Sequence, residues 1–365
     1  MTLKVAIVGC GKIADGHVEE IQKMPQLAHV VAACDLEALM AEQLAARYGI
    51  AAHYDSFDQM LESERPDVVH ITTPPASHLP LATRALEAGC HVYVEKPLTP
   101  TASETTALVE RAQTANRMLT VGYTYLFDPP ALAMRELVAA GELGAPVHVE
   151  SFYGYDLTGP FGSALLADAN HWVHRLPGKL LHNNIDHLFN KLVEFIDDES
   201  PEIIARGSVR RPQRFGDERD QMHDELRVMV VGQQVTAYGT FSSHARPGLH
   251  LCRVYGTRNT ACVDYLARTV TLERTSSLPS AMGRLLPAFE RAWQLAREGA
   301  RNVVKFAQSD FHFFAGLNYL IAAYYRAIVQ DAPPPIPYRD ILRIATMMDQ
   351  VFDQLGARCR HNQPR

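Results

Sequence analysis

Two histidines and an aspartate lie within six residues of the segment GKLLHNNIDH, which covers residues 178–187. An imidazole with a pKa of about 6.5 exchanges protons at neutral pH, and a carboxylate beside it can orient it or supply charge. The segment therefore has the residue types of an acid–base site or a metal site. It also fits the solvated face of a surface helix, so the rest of the chain must decide.

A helical conformation puts the polar residues of this segment on one side, because each residue turns by about 100°. His182 and Asp186 are neighbours at i, i+4, and so are Asn183 and His187. All four lie opposite an apolar stripe. The stripe consists of Leu181, Ile185, Leu188, Leu192 and Phe195. We expect the polar band to face either solvent or a substrate cleft.

The spacing of the histidines disfavours a metal. His171 and His174 lie just upstream, but His182 and His187 are five residues apart and project in different directions. No cysteine or second close carboxylate joins them, so the tight ligand spacing of zinc motifs is missing. We predict no metal site.

A glycine turn near the N-terminus predicts a nucleotide site. The apolar run KVAIV indicates a buried strand, and the turn GCGKIA and a helical pattern follow it. The free N–H groups and the dipole of a helix N-terminus favour a pyrophosphate. Gly9 permits the tight turn, Gly11 lets the phosphate approach, and Ala14 lets helix and strand pack closely. Lys12 and Ile13 complete the expected cofactor-binding turn.

Asp35 indicates which dinucleotide binds. It ends a second apolar run, HVVAACD, about 20 residues after the glycines, where dinucleotide-binding folds place an acid. A carboxylate accepts hydrogen bonds from both ribose hydroxyls but repels a 2′-phosphate, and no arginine stands beside it. We expect NAD as cofactor. Asp35 would also be able to cap the next helix, which is compatible with ribose contact.

Strand and helix patterns then alternate, which is typical of a parallel, doubly wound sheet. Ligands of such sheets bind beyond the carboxyl ends of the strands, where the loops TTPPASH and EKP fall. We expect both loops to line the nicotinamide end of the cofactor. Their expected contacts are Thr72, Thr73, Pro74, His78, Glu95 and Lys96.

GCGKIA, TTPPASH and EKP, in this order and spacing, resemble the glucose–fructose oxidoreductase and inositol dehydrogenase (Gfo/Idh/MocA) family, as does the segment GYTYLFDPPALAMRELVAAGELGAPV. The resemblance implies a second domain with an open, mostly antiparallel sheet. Seven alternating runs after residue 146, separated by polar or glycine turns, favour such a sheet independently. We therefore predict an N-terminal Rossmann domain of α/β class over residues 1–122. A C-terminal α+β domain over residues 123–365 would bind substrate and form oligomers.

The resemblance also implies catalytic roles. Lys96 of EKP would stabilise the alkoxide from which hydride leaves. The second family signature is a glycine pair, an aspartate, and a histidine four residues later. One frame puts Asn183 and His187 on the last two positions, and a shifted frame gives the swapped pair His182 and Asp186. We favour His187 as acid–base group with Asn183 orienting substrate, and either Asp186 or His182 as the source of the missing charge.

Composition excludes several classes of protein. The net charge of −6 argues against a nucleic-acid or anionic-membrane partner held by overall electrostatics. Six dispersed cysteines without a CxxC pair indicate reduced thiols, and the N-terminus lacks a signal-peptide pattern. No apolar run approaches the roughly 20 residues needed to span a bilayer. We expect a cytoplasmic protein and, by resemblance, a homodimer or homotetramer.

These observations predict an NAD-dependent oxidoreductase acting on a secondary hydroxyl, or the matching ketone, of a sugar, cyclitol or sugar derivative. Redox-neutral, NAD-dependent glycoside cleavage and a non-enzymatic sugar or dinucleotide sensor stay open as alternatives. Residues 284–306 form a basic amphipathic helix with an apolar stripe. We expect that stripe to pack against the domain or a sister subunit, although such helices also lie on membranes.

Overall fold

The computed structural model describes residues 2–210, 222–276, 278–308, 311 and 315–361. The chain forms two compact units. The first contains Met1–Thr124 and Gly316–Ala345, and the second contains Tyr125–Ala315 and Thr346–Arg365. The sequence-based boundary after residue 122 therefore lies close to the first crossing. Residues 316–345, which the sequence assigned to the second domain, belong to the first unit instead.

The first unit is built on a six-stranded parallel sheet. Its strands are β1 Leu3–Val8, β2 Ala28–Cys34, β3 Ala52–Tyr54, β4 Val68–Ile71, β5 His91–Val94 and β6 Leu119–Val121. Their spatial order, β3-β2-β1-β4-β5-β6, is that of a dinucleotide-binding Rossmann fold, and it confirms the predicted doubly wound sheet. The order reverses between β1 and β4, which is where such sheets bind their ligands.

The second unit contains a seven-stranded mixed sheet. Its strands are β7 Pro146–Asp156, β8 Glu202–Ser208, β9 Glu225–Val231, β10 Thr236–Ser242, β11 His244–Gly256, β12 Asn259–Asp264 and β13 Thr269–Arg274. The spatial order is β13-β12-β11-β7-β10-β9-β8, and only the β7–β10 pair is parallel. A mostly antiparallel sheet is therefore confirmed. It is not a simple meander, because β7 lies between β11 and β10.

Helices cover both sheets. They are α1 Lys12–Gln22, α2 Ala38–Tyr48, α3 Phe57–Glu64, α4 His78–Glu87, α5 Ala102–Thr114, α6 Pro129–Ala139, α7 Pro160–Ala167, α8 Lys179–His182, α9 Asp186–Leu192, α10 Ser280–Ala307, α11 Ala315–Gln330 and α12 Tyr338–His361. Among the described residues, no helix is both long enough and apolar enough to cross a membrane.

A buried chain of hydrogen bonds explains why α11 belongs to the first unit. The Tyr325 hydroxyl lies 2.8 Å from His70 Nε2, and His70 Nδ1 lies 2.8 Å from His17 Nδ1. His17 Nε2 then lies 3.0 Å from Glu95 Oε1. Tyr324, next to Tyr325, donates to the carbonyl of Met118. Buried polar groups of α11 thus find their partners in the Rossmann sheet, a long-range pairing that no local sequence pattern reveals.

One set of proton positions satisfies every atom of this chain. Burial and the neighbouring His17 lower the pKa of His70 well below its ordinary value, so His70 is neutral. With Tyr325 donating to His70, His70 donating to His17 and His17 donating to Glu95, every atom of the hydrogen-bond chain has a partner. Burial raises the pKa of Glu95, but the hydrogen bond from His17 and the charge of Lys96 outweigh it. The net lowering keeps Glu95 as a carboxylate.

Replacing Tyr325 with Phe should lower the free energy of unfolding by about 1–3 kcal/mol, because His70 Nε2 loses its donor inside the core. Tyr93→Phe is the matched control. Tyr93 is also buried, and its ring stacks on His70, but its hydroxyl has no hydrogen-bond partner among the described residues. Chemical denaturation should show a loss for Tyr325→Phe and little change for Tyr93→Phe. Equal losses would contradict the proposed chain.

Candidate functional site

Close packing shapes the glycine turn between β1 and α1. Gly9 has a φ of +91°, in the left-handed region that favours glycine. A Cβ atom at Gly9 would lie 2.6 Å from Thr73 Cγ2 and 2.8 Å from Thr73 N, so no side chain fits. The Thr72 hydroxyl lies 2.6 Å from the carbonyl of Gly9 and fixes the turn from the other side. The sequence prediction for Gly9 thus has a steric basis.

The N-terminus of α1 has the features of a pyrophosphate site. Gly11 is its N-cap, and no side chain caps the free N–H groups of the first turn. A Cβ at Gly11 would meet nothing within 4 Å, so space stays open beside the backbone. Lys12 is exposed and Ile13 is half-buried, whereas Ala14 is fully buried against the strand, as predicted for close helix–strand packing. The turn fits a dinucleotide's phosphates.

Asp35 stands at the end of β2 and contacts the same turn. Its Oδ2 accepts a hydrogen bond from Cys10 N at 2.6 Å, and its Oδ1 accepts one from Glu37 N at 3.0 Å. The N-cap of α2 is Glu37, so Asp35 does not cap that helix. Each carboxylate oxygen retains a lone pair for a ribose hydroxyl. The structure is therefore compatible with the predicted ribose contact.

His78 ties the two predicted cofactor loops together. Its Nε2 lies 2.7 Å from the carbonyl of Thr73, and its Nδ1 lies 3.1 Å from that of Pro97 and 3.0 Å from that of Leu98. The ring is fully buried, and burial lowers its pKa despite these carbonyls. His78, predicted as a cofactor contact, thus holds the two loops together through both of its ring nitrogens. Pro74 is exposed.

Lys96 follows the last residue of the buried hydrogen-bond chain. Its backbone N–H lies 3.2 Å from Glu95 Oε2, and its side chain is half-buried. The peptide bond between Lys96 and Pro97 is cis. Glu95, predicted as a cofactor contact, accepts hydrogen bonds from His17 and from the backbone of Lys96. It therefore positions the loop that carries Lys96.

The segment around residues 180–193 differs from its prediction. It is not one regular helix with a polar band, because α8 ends at His182, α9 begins at Asp186, and residues 183–185 form a turn between them. Every residue from 180 to 193 is buried. A solvated helix face is therefore wrong for this segment. Its polar side chains lie inside the protein, where each requires a partner.

The backbone at residues 178–179 matches the glycine pair of the family signature. A Cβ at Gly178 would lie 2.1 Å from Cε1 of Phe352, so only glycine fits there. Lys179 has a φ of +47°, in the left-handed region that usually requires glycine. Both positions thus have glycine-type environments. This favours the frame in which Asn183 and His187 follow the pair.

His182 and His187 have different surroundings, contrary to the expectation of a shared band. His182 stacks on Phe352, with ring centroids 4.9 Å apart and an interplanar angle of 13°. His187 meets the edges of Tyr125 and Tyr153 at centroid distances of 4.8 Å and 5.1 Å. The break at residues 183–185 turns the two imidazoles towards different neighbours.

The two other polar residues of the segment are buried as well. Asp186 is fully buried and accepts the backbone N–H of His187 at 2.8 Å. Its Oδ1 also lies 3.7 Å from His187 Nδ1. Asn183 is buried at the turn between α8 and α9. Asp186 thus contacts both the backbone and the ring of His187.

Lys191, which the sequence analysis missed, lies one helical turn after His187. Its side chain is fully buried, and its Nζ lies 2.5 Å from Nε2 of His250 on β11. Burial lowers the pKa of Lys191 to about 7, although Cys252 and Asp186 act in the opposite direction. Such a lysine exchanges protons near neutral pH. The i, i+4 spacing from His187 was the available signal.

Aromatic rings surround this pair. The ammonium of Lys191 lies 5.1 Å from the ring centroid of Tyr265 and 5.9 Å from that of Tyr125. His250 stacks on Tyr265 and also packs against Tyr153, its cross-strand partner on β7. Burial, Lys191 and His187 lower the pKa of His250, so it accepts a hydrogen bond as a neutral ring. The aromatic faces stabilise the cation that burial disfavours.

Some buried polar atoms near α9 have capacity for a ligand. Within the described residues, neither side-chain polar atom of Asn190 has a hydrogen-bond partner, nor has Nδ1 of His250. Unpaired buried amides are rare, because each costs free energy. In the same part of the chain, no group of three or more His, Cys, Asp or Glu side chains is placed to hold a metal ion.

The fold and the glycine turn define an NAD-binding dehydrogenase-type protein, and sequence comparison identifies its family. Residues 3–123 match the NAD-binding Rossmann model of the Gfo/Idh/MocA oxidoreductases, and residues 131–262 match their C-terminal domain model. Together these models cover most of the chain. The chain belongs to the Gfo/Idh/MocA family.

Relatives with curated names are similar over part of their length. An inositol 2-dehydrogenase of Salmonella paratyphi B is 32% identical over 151 residues, which are 41% of this chain and 45% of the relative. A D-glucoside 3-dehydrogenase of Escherichia coli is 34% identical over 142 residues, which are 39% of this chain and 40% of the relative. The matched region thus spans less than half of each relative.

A solved structure is similar along nearly the whole chain. An oxidoreductase from Agrobacterium radiobacter, crystallised with NAD+, L-tartaric acid and magnesium, superposes with a TM-score of 0.77 at 16% identity. The superposition covers 98% of this chain and 97% of the other. At this identity the likeness shows the shared fold.

Two glycine substitutions should separate folding from cofactor binding. Gly9→Ala should lower the free energy of unfolding by about 1–3 kcal/mol or more, since it forces a left-handed alanine against Thr73. Gly11→Ala should leave thermal stability without NAD unchanged but weaken NAD binding about tenfold, by filling the space that phosphates need. Thermal melts and NAD titrations measure both. Unchanged NAD affinity in Gly11→Ala would contradict the assigned phosphate approach.

Proposed function

We propose that this protein is an NAD-dependent dehydrogenase of a sugar, cyclitol or glycoside, acting on a secondary hydroxyl or the matching ketone. Membership of the Gfo/Idh/MocA family supports the reaction class. The names of two relatives, an inositol 2-dehydrogenase and a D-glucoside 3-dehydrogenase, support the substrate class. Both substrates named there are ring polyols.

The observation that carries the proposal is the buried cluster of His187, Lys191 and His250 beside tyrosine rings. Oxidising an alcohol requires a group that takes the hydroxyl proton while hydride leaves the carbon. His187 and Lys191 supply two such groups within one helical turn, both shielded from water. The aromatic rings offer apolar faces for the C–H groups of a sugar ring.

Each residue then has a distinct role. When bound, NAD would supply the hydride acceptor for the alcohol carbon, and NADH would supply the hydride donor for the ketone. Asp35 and the turn of Gly9 and Gly11 would hold its ribose and phosphates. His187 would take the proton of the substrate hydroxyl, and the Lys96 ammonium would stabilise the alkoxide that develops. Asn183 would orient the substrate through its amide.

Lys191 would act through its neighbours. With a pKa of about 7 it is close to half-protonated at neutral pH, and its proton can pass only to groups that it touches, such as His250. Its charge, when present, also disfavours a second positive charge on His250. Lys191 and His250 would thus set the electrostatic environment of His187, with Asp186 supplying the balancing negative charge.

Lys96→Met should reduce kcat by about 10²- to 10³-fold, the usual cost of removing one oxyanion-stabilising group, and should leave NAD affinity within about threefold. Lys23→Met is the control, because Lys23 is exposed and its ammonium pairs with the buried Glu20, and it should retain full activity. NADH formation with myo-inositol and methyl glucosides measures turnover. Near-normal turnover of Lys96→Met would contradict the assigned role.

Matched histidine variants distinguish the two possible working pairs. His187→Asn should reduce kcat by about 10²- to 10⁴-fold, the usual contribution of a general acid–base group. His182→Asn should instead lower stability, because it removes a ring that stacks on Phe352, and should leave the shape of the pH–rate profile unchanged. Rate profiles and thermal melts of both variants show which histidine takes part in catalysis. The opposite pattern would assign catalysis to His182.

A further inference from the structure

Helix α10 divides into a polar half and an apolar half. At about 100° per residue, its 28 residues place every charged and amide side chain within one half of the circumference. The other half, about 180° wide, carries only alanine, glycine and larger apolar residues. The larger ones are Met282, Leu285, Leu286, Phe289, Trp293, Leu295, Val303, Val304 and Phe306. Few surface helices show so complete a division.

The polar half, not the apolar half, packs on the protein. Gln294 accepts from the backbone N–H of Leu272 on β13 at 2.8 Å and donates to the carbonyl of Leu272 at 2.9 Å. Asn302 donates to the carbonyls of Ala267 and Arg268 after β12. Because the Gln294 amide bonds both backbone groups of Leu272, this side of the helix is held against β13 and the helix cannot rotate about its axis. The helix is thus held with its apolar half outward.

The apolar half is exposed along the whole helix. Phe306 is 73% exposed, Phe289 is 66% exposed and Trp293 is 61% exposed. The expectation that the stripe packs against the domain is therefore wrong, because the domain already binds the opposite half. Contiguous apolar patches of this size on a protein surface mark an interaction site.

We propose that α10 lies on the surface of an anionic lipid membrane, with its apolar half in the acyl–headgroup boundary. Arg284 and Arg297 stand at the two margins of the apolar half, where headgroup phosphates would lie. Cations outnumber carboxylates on this helix, although the chain as a whole carries a net charge of −6. Tryptophan and phenylalanine are the residues that favour this interface.

A second copy of the chain fits this surface less well. Two helices packed side by side bury a stripe about 100° wide, so the edges of a half-circumference would stay exposed. An isologous pair would also bring two basic helices together, and like charges repel. A planar lipid surface covers the full apolar half, and its phosphates match the arginines.

Vesicle flotation of the full-length protein tests the proposal. We expect binding to vesicles of equal parts phosphatidylcholine and phosphatidylglycerol, and about tenfold weaker binding to phosphatidylcholine alone. The double variant Phe289→Ser/Trp293→Ser should lose the binding. Ile204→Ser/Tyr238→Ser is the matched control, because it removes exposed apolar residues from β8 and β10, and it should bind like the original protein.

Tryptophan fluorescence tests whether α10 itself contacts the lipid. The chain has two tryptophans, so in a Trp172→Phe variant all emission comes from Trp293. Its emission should shift to shorter wavelength with anionic vesicles. No flotation, or flotation that survives Phe289→Ser/Trp293→Ser, would overturn the proposal. So would a dimer in ultracentrifugation that the same double variant dissociates, since the apolar half would then bind a second copy.

Discussion

The hydrogen bond between Lys191 and His250 is the interaction on which the interior of the second unit depends. An ammonium group taken out of water is costly unless a partner accepts its protons and nearby groups offset its charge. His250 provides the acceptor, Tyr265 provides an aromatic face, and Asp186 provides negative charge. These compensations are incomplete, and the pKa of the lysine falls to about 7 as a result. A group that titrates at neutral pH is thereby held beside His187.

The first unit meets a different constraint, which is the close approach of backbone to backbone. There is no room for a side chain at Gly9, because Thr73 occupies the space. His78 binds the loop that carries Thr73 to the loop after Lys96. The buried chain of hydrogen bonds from Tyr325 to Glu95 holds that second loop from its other side. Cofactor turn, loops and the late helix α11 therefore form one connected structure within the Rossmann unit.

Much of this could be predicted from local patterns. Buried β-branched runs and glycine turns indicate the Rossmann strands, and alternation indicates the strands of the second sheet. Contacts between distant residues could not be predicted. His182 and His187 look equivalent on a helical wheel, but the turn at residues 183–185 and the ring of Phe352 separate them. Lys191 looks like an ordinary surface lysine until β11 brings His250 to its ammonium. The outward apolar half of α10 follows from backbone contacts of Gln294 that periodicity does not encode.

The most direct test of the central claim is the titration of the Lys191 ammonium itself. Nitrogen-detected NMR of lysine-labelled protein, with the resonance assigned through Lys191→Met, follows its protonation as pH changes. A buried lysine bonded to His250 should titrate with a midpoint of about 7. A midpoint near the ordinary lysine value of 10.5 would place the group in water and remove the proposed proton-transfer cluster.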